Sequence, residues 1–277
     1  MSTKRRDLNC GAWTASAAVE FPACPLYCIE GLRYVDQLRA TSTSGRRVIS
    51  AFSQRLRFKF VWVASSSWMR LSAGRTAYAL PPSGPDVAVH LAAIIRVPSR
   101  VASSVTPALD RLHQHSPHHH YYPPETMHVT VRKLGRFPSD DSDVAARLGE
   151  LRRVVGSQPG FDLTMWGLNL SPTTVFAQVF PHDQTFHSLR RQLGGMADHS
   201  VSQSSSERLI DLAARNLAHA NVVRFSGGVT TEFVREVPRF RRLHFGRWAV
   251  REVELVRSDK LLSREGSHVI ERIPLAT

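Results

Sequence analysis

Between residues 87 and 275, short apolar runs alternate with segments of helical period. Val87–Val97 is almost continuously apolar and reads as a buried strand, with Pro107–His115 as a helix after it. Met127–Leu134 alternates and is rich in β-branched residues, the pattern of a second strand. In Asp141–Val155 the stripe Val144, Leu148, Leu151, Val155 recurs at i, i+4, i+7 and i+11 and predicts an amphipathic helix. Phe161–Leu170 and Thr174–Phe180 read as two strands turning at Ser171-Pro172, and Gln184–Met196 and Ser206–Leu217 as helices. His219–Phe225, Trp248–Val256 and His268–Ile273 complete the strand set, so the fold class is α+β. A helix leading to a histidine-bearing strand occurs twice, about ninety residues apart. Two similar lobes facing each other would bring both histidines to one cleft.

Residues 1–80 break this order. They hold no sustained period; Phe58-Lys59-Phe60-Val61-Trp62-Val63 resembles a short strand, and the rest is Ser, Ala and Arg in neither helical nor alternating order. Pro81-Pro82-Ser83-Gly84-Pro85 cannot continue a regular element and marks a boundary. The expected division is 1–80 as an extension without its own core, either a disordered basic arm or residues upstream of a start at Met69, and 81–277 as the domain that does chemistry. The basic start Lys4-Arg5-Arg6 is not followed by an apolar core of signal-peptide length, and no run suits a membrane span, so a soluble, cytoplasmic protein is expected. Cys10, Cys24 and Cys28 are odd in number and have no nearby histidine or second Cys pair, which argues against a disulfide framework or a zinc site.

The formal net charge of +13 invites a nucleic-acid reading until its distribution is considered. Residues 1–80 carry 12 Lys and Arg against 4 Asp and Glu, and the remainder 24 against 19. The domain itself is therefore only mildly basic, enough to attract a phosphate-bearing ligand without a long nucleic-acid track.

The chemistry concentrates on two strands. In Met127-His128-Val129-Thr130-Val131 the period of two puts His128 and Thr130 on one face and the valines on the other. His219-Ala220-Asn221-Val222-Val223-Arg224 repeats the arrangement with His219, Asn221 and Val223 together; Arg224 falls on the opposite face, from which twist would have to swing it. Two imidazoles suit attack on a phosphodiester, one as general base toward water and the other as general acid toward the leaving oxygen, because both forms of histidine are accessible near neutrality. Thr130 and Asn221 would donate to the non-bridging oxygens. His118-His119-His120 tempts a metal assignment but reads as a solvated loop between Pro117 and Pro124. Tyr121 and Tyr122, just ahead of the first motif, are placed either to stack on a base or to pack on the sheet.

With His128-Val129-Thr130 and Leu134-Gly135 as the first motif and His219-Ala220-Asn221 with Arg224 as the second, the chain resembles the two-histidine phosphoesterase superfamily, also called LigT-like or 2′-5′ RNA ligase-like. Trp248–Ser258 resembles the strand that follows the second motif there. The resemblance covers about Val87–Leu275 and implies a bilobal α+β fold, two antiparallel-type sheets around a central cleft lined by the motif residues. It further implies catalysis by His128 and His219 with no metal or cofactor, and contact with substrate by Thr130, Asn221 and Arg224; Tyr122 is expected to join them from its place just ahead of the first motif, not from the resemblance. Expected substrates are 2′,3′-cyclic phosphate RNA ends or small cyclic phosphodiesters, with a monomer as the working form and no membrane partner. Asn221 departs from the family's Thr or Ser. The alternative is therefore a non-catalytic RNA-end or nucleotide binding module with a degenerate second motif.

Overall fold

Five consecutive buried residues, Leu91–Ile95, must have both faces of their strand covered, which demands a position inside a sheet. In the computed structural model, which describes residues 45–71, 90–136, 141–196, 217–259 and 261–277, this segment is β1 (His90–Arg96), paired on both sides. The other strands are β2 (His120–Tyr121), β3 (His128–Arg136), β4 (Phe161–Leu170), β5 (Thr174–Pro181), β6 (Ala218–Arg224), β7 (His244–Val250), β8 (Glu252–Ser258) and β9 (Ser267–Pro274). The helices are α1 (Gly45–Leu71), α2 (Ser99–Ser103), α3 (Thr106–His115), α4 (Asp141–Gly156), α5 (Thr185–Gln192) and α6 (Thr231–Glu236).

Strands run in the order β7-β4-β5-β6-β3-β1-β8-β9, every neighbouring pair antiparallel, with β2 added beside β6. The two antiparallel sheets expected from the sequence are the two halves of this path, each of four strands, joined between β6 and β3 through a single register pair, Val129↔Ala220. One face of both halves is covered by α4 and α5: Ala93, Ile95, Val129, Val131, Ala177 and Ala220 share a core with Leu151, Val154, Phe186 and Leu189. The opposite face carries the two histidines.

Three elements differ from the sequence reading. Trp248–Val256 is not one strand: Arg251 interrupts it, β7 pairs with β4 at one end of the sheet and β8 lies beside β1 in the other half. Continuous apolar alternation does not reveal a change of partner strand. Phe58–Val63 lies in a helix, because the buried residues between 53 and 66 are Gln54, Phe58, Val61 and Ser65, at i, i+4, i+7 and i+11. Two of these four are polar, which hides the helical period from hydropathy. The third difference concerns the extension's part in the core: Phe58 and Val61 pack with Phe176 and Phe180 of β5, and Asn169 Nδ2 donates to Phe58 O at 2.9 Å. The boundary at 81–85 lies outside the described residues, as does the predicted helix from Ser206 up to residue 216. No helix among the described residues is long and apolar enough to cross a membrane.

Candidate functional site

The Val129↔Ala220 pair points its small apolar side chains into the core, so the residues on either side of it turn to the opposite face. Carried one step each way, this register sets Asn221 across from His128, and His219 across from Thr130. Each motif's polar residue thus faces the other motif's histidine. The join between the halves is the centre of the constellation, which brings together the four residues that the motifs predicted.

Arg224 reaches the same face by a different route from strand twist. Val175 pairs with Val223 but Phe176 pairs with Asn221, leaving Val222 without a partner residue. This one-residue bulge resets the alternation: Val222 and Val223 are both buried, and Arg224, opposite Thr174, joins His219 and Asn221, which are opposite Gln178 and Phe176. A strict period of two could not anticipate this.

The two imidazoles are held alike. His128 Nδ1 donates to Thr126 O at 2.9 Å and His219 Nδ1 donates to Leu217 O at 3.1 Å, in each case the carbonyl two residues upstream. Carbonyls only accept, so in the neutral ring the proton sits on Nδ1 and the Nε2 lone pair is the reactive position. Burial holds both rings at about 4, below the usual 6.5; the main-chain bonds oppose this, and surrounding cations reinforce it, Arg96 and Lys133 at His128 and Arg190 and Lys133 at His219. Of the named charges, Glu254 alone favours the protonated form, and it acts on His128. The His128 imidazole also lowers the affinity of His219 for a proton.

Asn221 is anchored lightly. Its Oδ1 lies 3.4 Å from Thr174 Oγ1, whose single proton also has the carbonyl of Val223 within very short reach. Thr130 is half-buried on the same face, opposite Ile94. Tyr122 corrects the stacking reading. It is 3% exposed, its ring meets His120 and His128 edge-on at 4.8 and 6.3 Å, and its amide donates to Val222 O, so it offers no open face to a base. Burial also pushes its hydroxyl up to about 12. The histidine tract is not a solvated loop either: His119 is buried against Phe225 and Phe233, His120 belongs to β2 opposite Arg224, and His118 alone of the three is exposed. Pairing of β2 with β6 draws the tract inward. Among the described residues, no group of three or more His, Cys, Asp or Glu is arranged to hold a metal ion.

Three residues near the histidines had no signal in the sequence. Arg96 pairs with His128 across β1 and β3 and donates to Glu254 Oε2 from Nε and Nη2 at 3.1 and 2.7 Å; Arg272 Nε donates to the other carboxylate oxygen at 3.1 Å. Arg190 of α5 donates from Nε to Val131 O at 2.9 Å and from Nη1 to Leu217 O at 3.2 Å, the carbonyl that also fixes His219. These contacts join segments distant in the chain only because of strand register and helix docking.

No family model and no curated protein matches the sequence. Among solved structures the chain is similar to TT0787 of Thermus thermophilus, with 19% identity over 67% of this chain and 97% of that one and a TM-score of 0.44. It is likewise similar to a structure described as a phosphoesterase (19% identity, 68% and 99% covered, TM-score 0.45) and to E. coli LigT complexed with phosphate (18%, 69% and 100%, 0.44).

Proposed function

We propose that the chain is a two-histidine phosphodiesterase that opens 2′,3′-cyclic phosphate RNA ends or small cyclic phosphodiesters by acid and base catalysis at His128 and His219, without a metal. The matched environment of the two imidazoles carries this reading: on adjacent strands, both are fixed through Nδ1 by the carbonyl two residues upstream, which directs both Nε2 atoms to proton transfer. A structural histidine has no need of a twin in the same tautomer across the strand pair.

With both rings at about 4, both imidazoles are neutral in the resting site near pH 7. An anionic diester favours a proton on one of them. Two cations oppose a proton on each ring, Arg96 and Lys133 at His128 and Arg190 and Lys133 at His219; Glu254 offsets part of this at His128, with no such carboxylate acting on His219, so His128 is assigned as general acid and His219 as general base. His219 Nε2 takes a proton from water as the water oxygen bonds to phosphorus; the bond from phosphorus to one ribose oxygen breaks, and that oxygen takes the proton from His128 Nε2. Proton exchange with solvent restores the pair. Thr130, the Asn221 amide and Arg224 would donate to the non-bridging oxygens, where preorganised donors stabilise the transition state.

The test is hydrolysis of adenosine 2′,3′-cyclic phosphate beside that of an aryl phosphodiester whose nitrophenol leaves without protonation. His219→Ala should lose both reactions, and His128→Ala should lose the first and keep much of the second. Binding of inorganic phosphate without turnover of either compound would replace this reading with that of a nucleotide-binding module.

A further inference from the structure

The first motif strand carries the same irregularity as the second. Along β1 and β3 the pairs are Arg96↔His128, Ile94↔Thr130, Ala93↔Arg132 and Ala92↔Lys133, so Val131 has no partner residue. Paired residues share a face, so alternate β1 positions 96, 94 and 92 put His128, Thr130 and Lys133 together, while Arg132 turns away and donates to Gly194 O at 3.3 Å. In β6 the corresponding trio is His219, Asn221 and Arg224. Both strands thus read histidine, polar donor two residues on, a bulge, then a cation five residues on. Because the strands are antiparallel about Val129↔Ala220, the two cations stand at opposite ends of the site.

We propose that Lys133 is a second anion-binding residue of the site, the counterpart of Arg224, and that the preferred substrate carries a phosphate in addition to the one attacked. The proposal rests on the phosphodiesterase reading. At about 3.3 Å per residue, the two positions lie roughly 20 Å apart along the strands, more than their side chains can close on one phosphate. With Arg224 at the reacting group, Lys133 is left for a neighbouring one, as in an RNA end or a 5′-phosphorylated nucleotide. Lys133 is exposed, as a residue meeting a charged ligand must be, and its charge is felt at both imidazoles.

The full chain is assayed on adenosine 2′,3′-cyclic phosphate and on its 5′-phosphorylated form. Wild type should favour the phosphorylated compound in kcat/KM by about tenfold, the scale of one charge-assisted contact. Lys133→Met should bring that ratio near one and move the pH profile on either compound upward, since loss of the cation lets both imidazoles hold protons more readily; Lys133→Arg should keep the preference. A wild-type ratio near one, or a ratio unchanged in Lys133→Met, overturns the role of Lys133 while leaving the phosphodiesterase reading in place. Failure of wild type to turn over either compound overturns both.

Discussion

At the residue scale, the buried imidazoles make the site's behaviour depend on pH in a definite direction. Folded values of about 4 lie below the 6.5 of the exposed side chain, so the unfolded chain binds protons first as pH falls. The histidines therefore cost no stability above about 6.5, and stability is lost between there and about 4. In the proposed mechanism one proton must sit on the pair, and kcat/KM reports the free enzyme. It should fall about tenfold per pH unit above roughly pH 5. The profile of kcat should peak closer to neutrality, because a bound diester raises the proton affinity of the acid. A flat kcat/KM between pH 6 and 8 would show that neither ring must gain a proton. Asn221 belongs to this scale as well. Among the described residues its side chain is anchored by a long contact to Thr174 alone, and Asn221→Ala should lower kcat/KM by about ten- to a hundredfold if a charge-assisted bond of roughly 1.5–3 kcal/mol to substrate is lost. Asn221→Thr should retain or raise turnover. A silent Asn221→Ala would remove this residue from the proposed phosphate site.

At the element scale, α1 matters most. Phe58 is 1% exposed and meets Phe176 and Phe180 at ring distances of 6.2 and 5.3 Å; Phe176 in turn meets the His219 ring at 5.3 Å. The helix therefore backs one wall of the site. Phe58→Ala should destabilise the protein by about 3–5 kcal/mol, the usual cost of a phenylalanine-sized cavity, and a chain beginning at Met69 should be less stable than that. Urea or thermal unfolding measures both. Unchanged stability of the shortened chain would mean that α1 does not pack on β5. The strands β1, β3, β4, β5 and β6 were legible in the sequence because their buried faces alternate or run unbroken. The helical character of α1 was not, since Gln54 and Ser65 occupy two of the four positions that are buried between residues 53 and 66. Gln54 is accommodated there by a bond to His187 Nε2 at 2.9 Å that hydropathy cannot register.

At the scale of the whole molecule, the two halves of the sheet meet at one pair of residues, and Arg190 reinforces that join by donating to Val131 O on one side and Leu217 O on the other. Burial lowers its guanidinium to about 10, which leaves it charged in the physiological range. Arg190→Leu would remove the side-chain donor to Val131 O and leave Leu217 O to the His219 ring alone, at about 1–3 kcal/mol for a carbonyl left unsatisfied. The expected outcome is a lower unfolding midpoint together with a lower kcat, and a rise in the pH at which His219 takes its proton, because a nearby cation is gone. NMR titration of the imidazole follows that last quantity. An unmoved His219 titration would show that Arg190 serves the fold alone.

The α+β class, most strand positions and the candidate histidine pair were determined by the sequence itself, because burial imposes periods of two and 3.6 wherever one face of an element is covered. The pairing of His128-x-Thr130 with His219-x-Asn221 was legible for the same reason: a polar residue recurring on the chemical face of an apolar strand stands out against its neighbours. Tertiary structure decided what those residues meet. The bulges at Val131 and Val222, which carry Lys133 and Arg224 to the histidine face, arise from unequal pairing between strands, and no single strand's pattern encodes its partner's count. The split of Trp248–Val256 into β7 and β8, the withdrawal of Tyr122 into the core and the approach of Arg96, Glu254 and Arg190 likewise follow from register and docking. These are properties of distant segments in contact, and they exist only once the chain has folded.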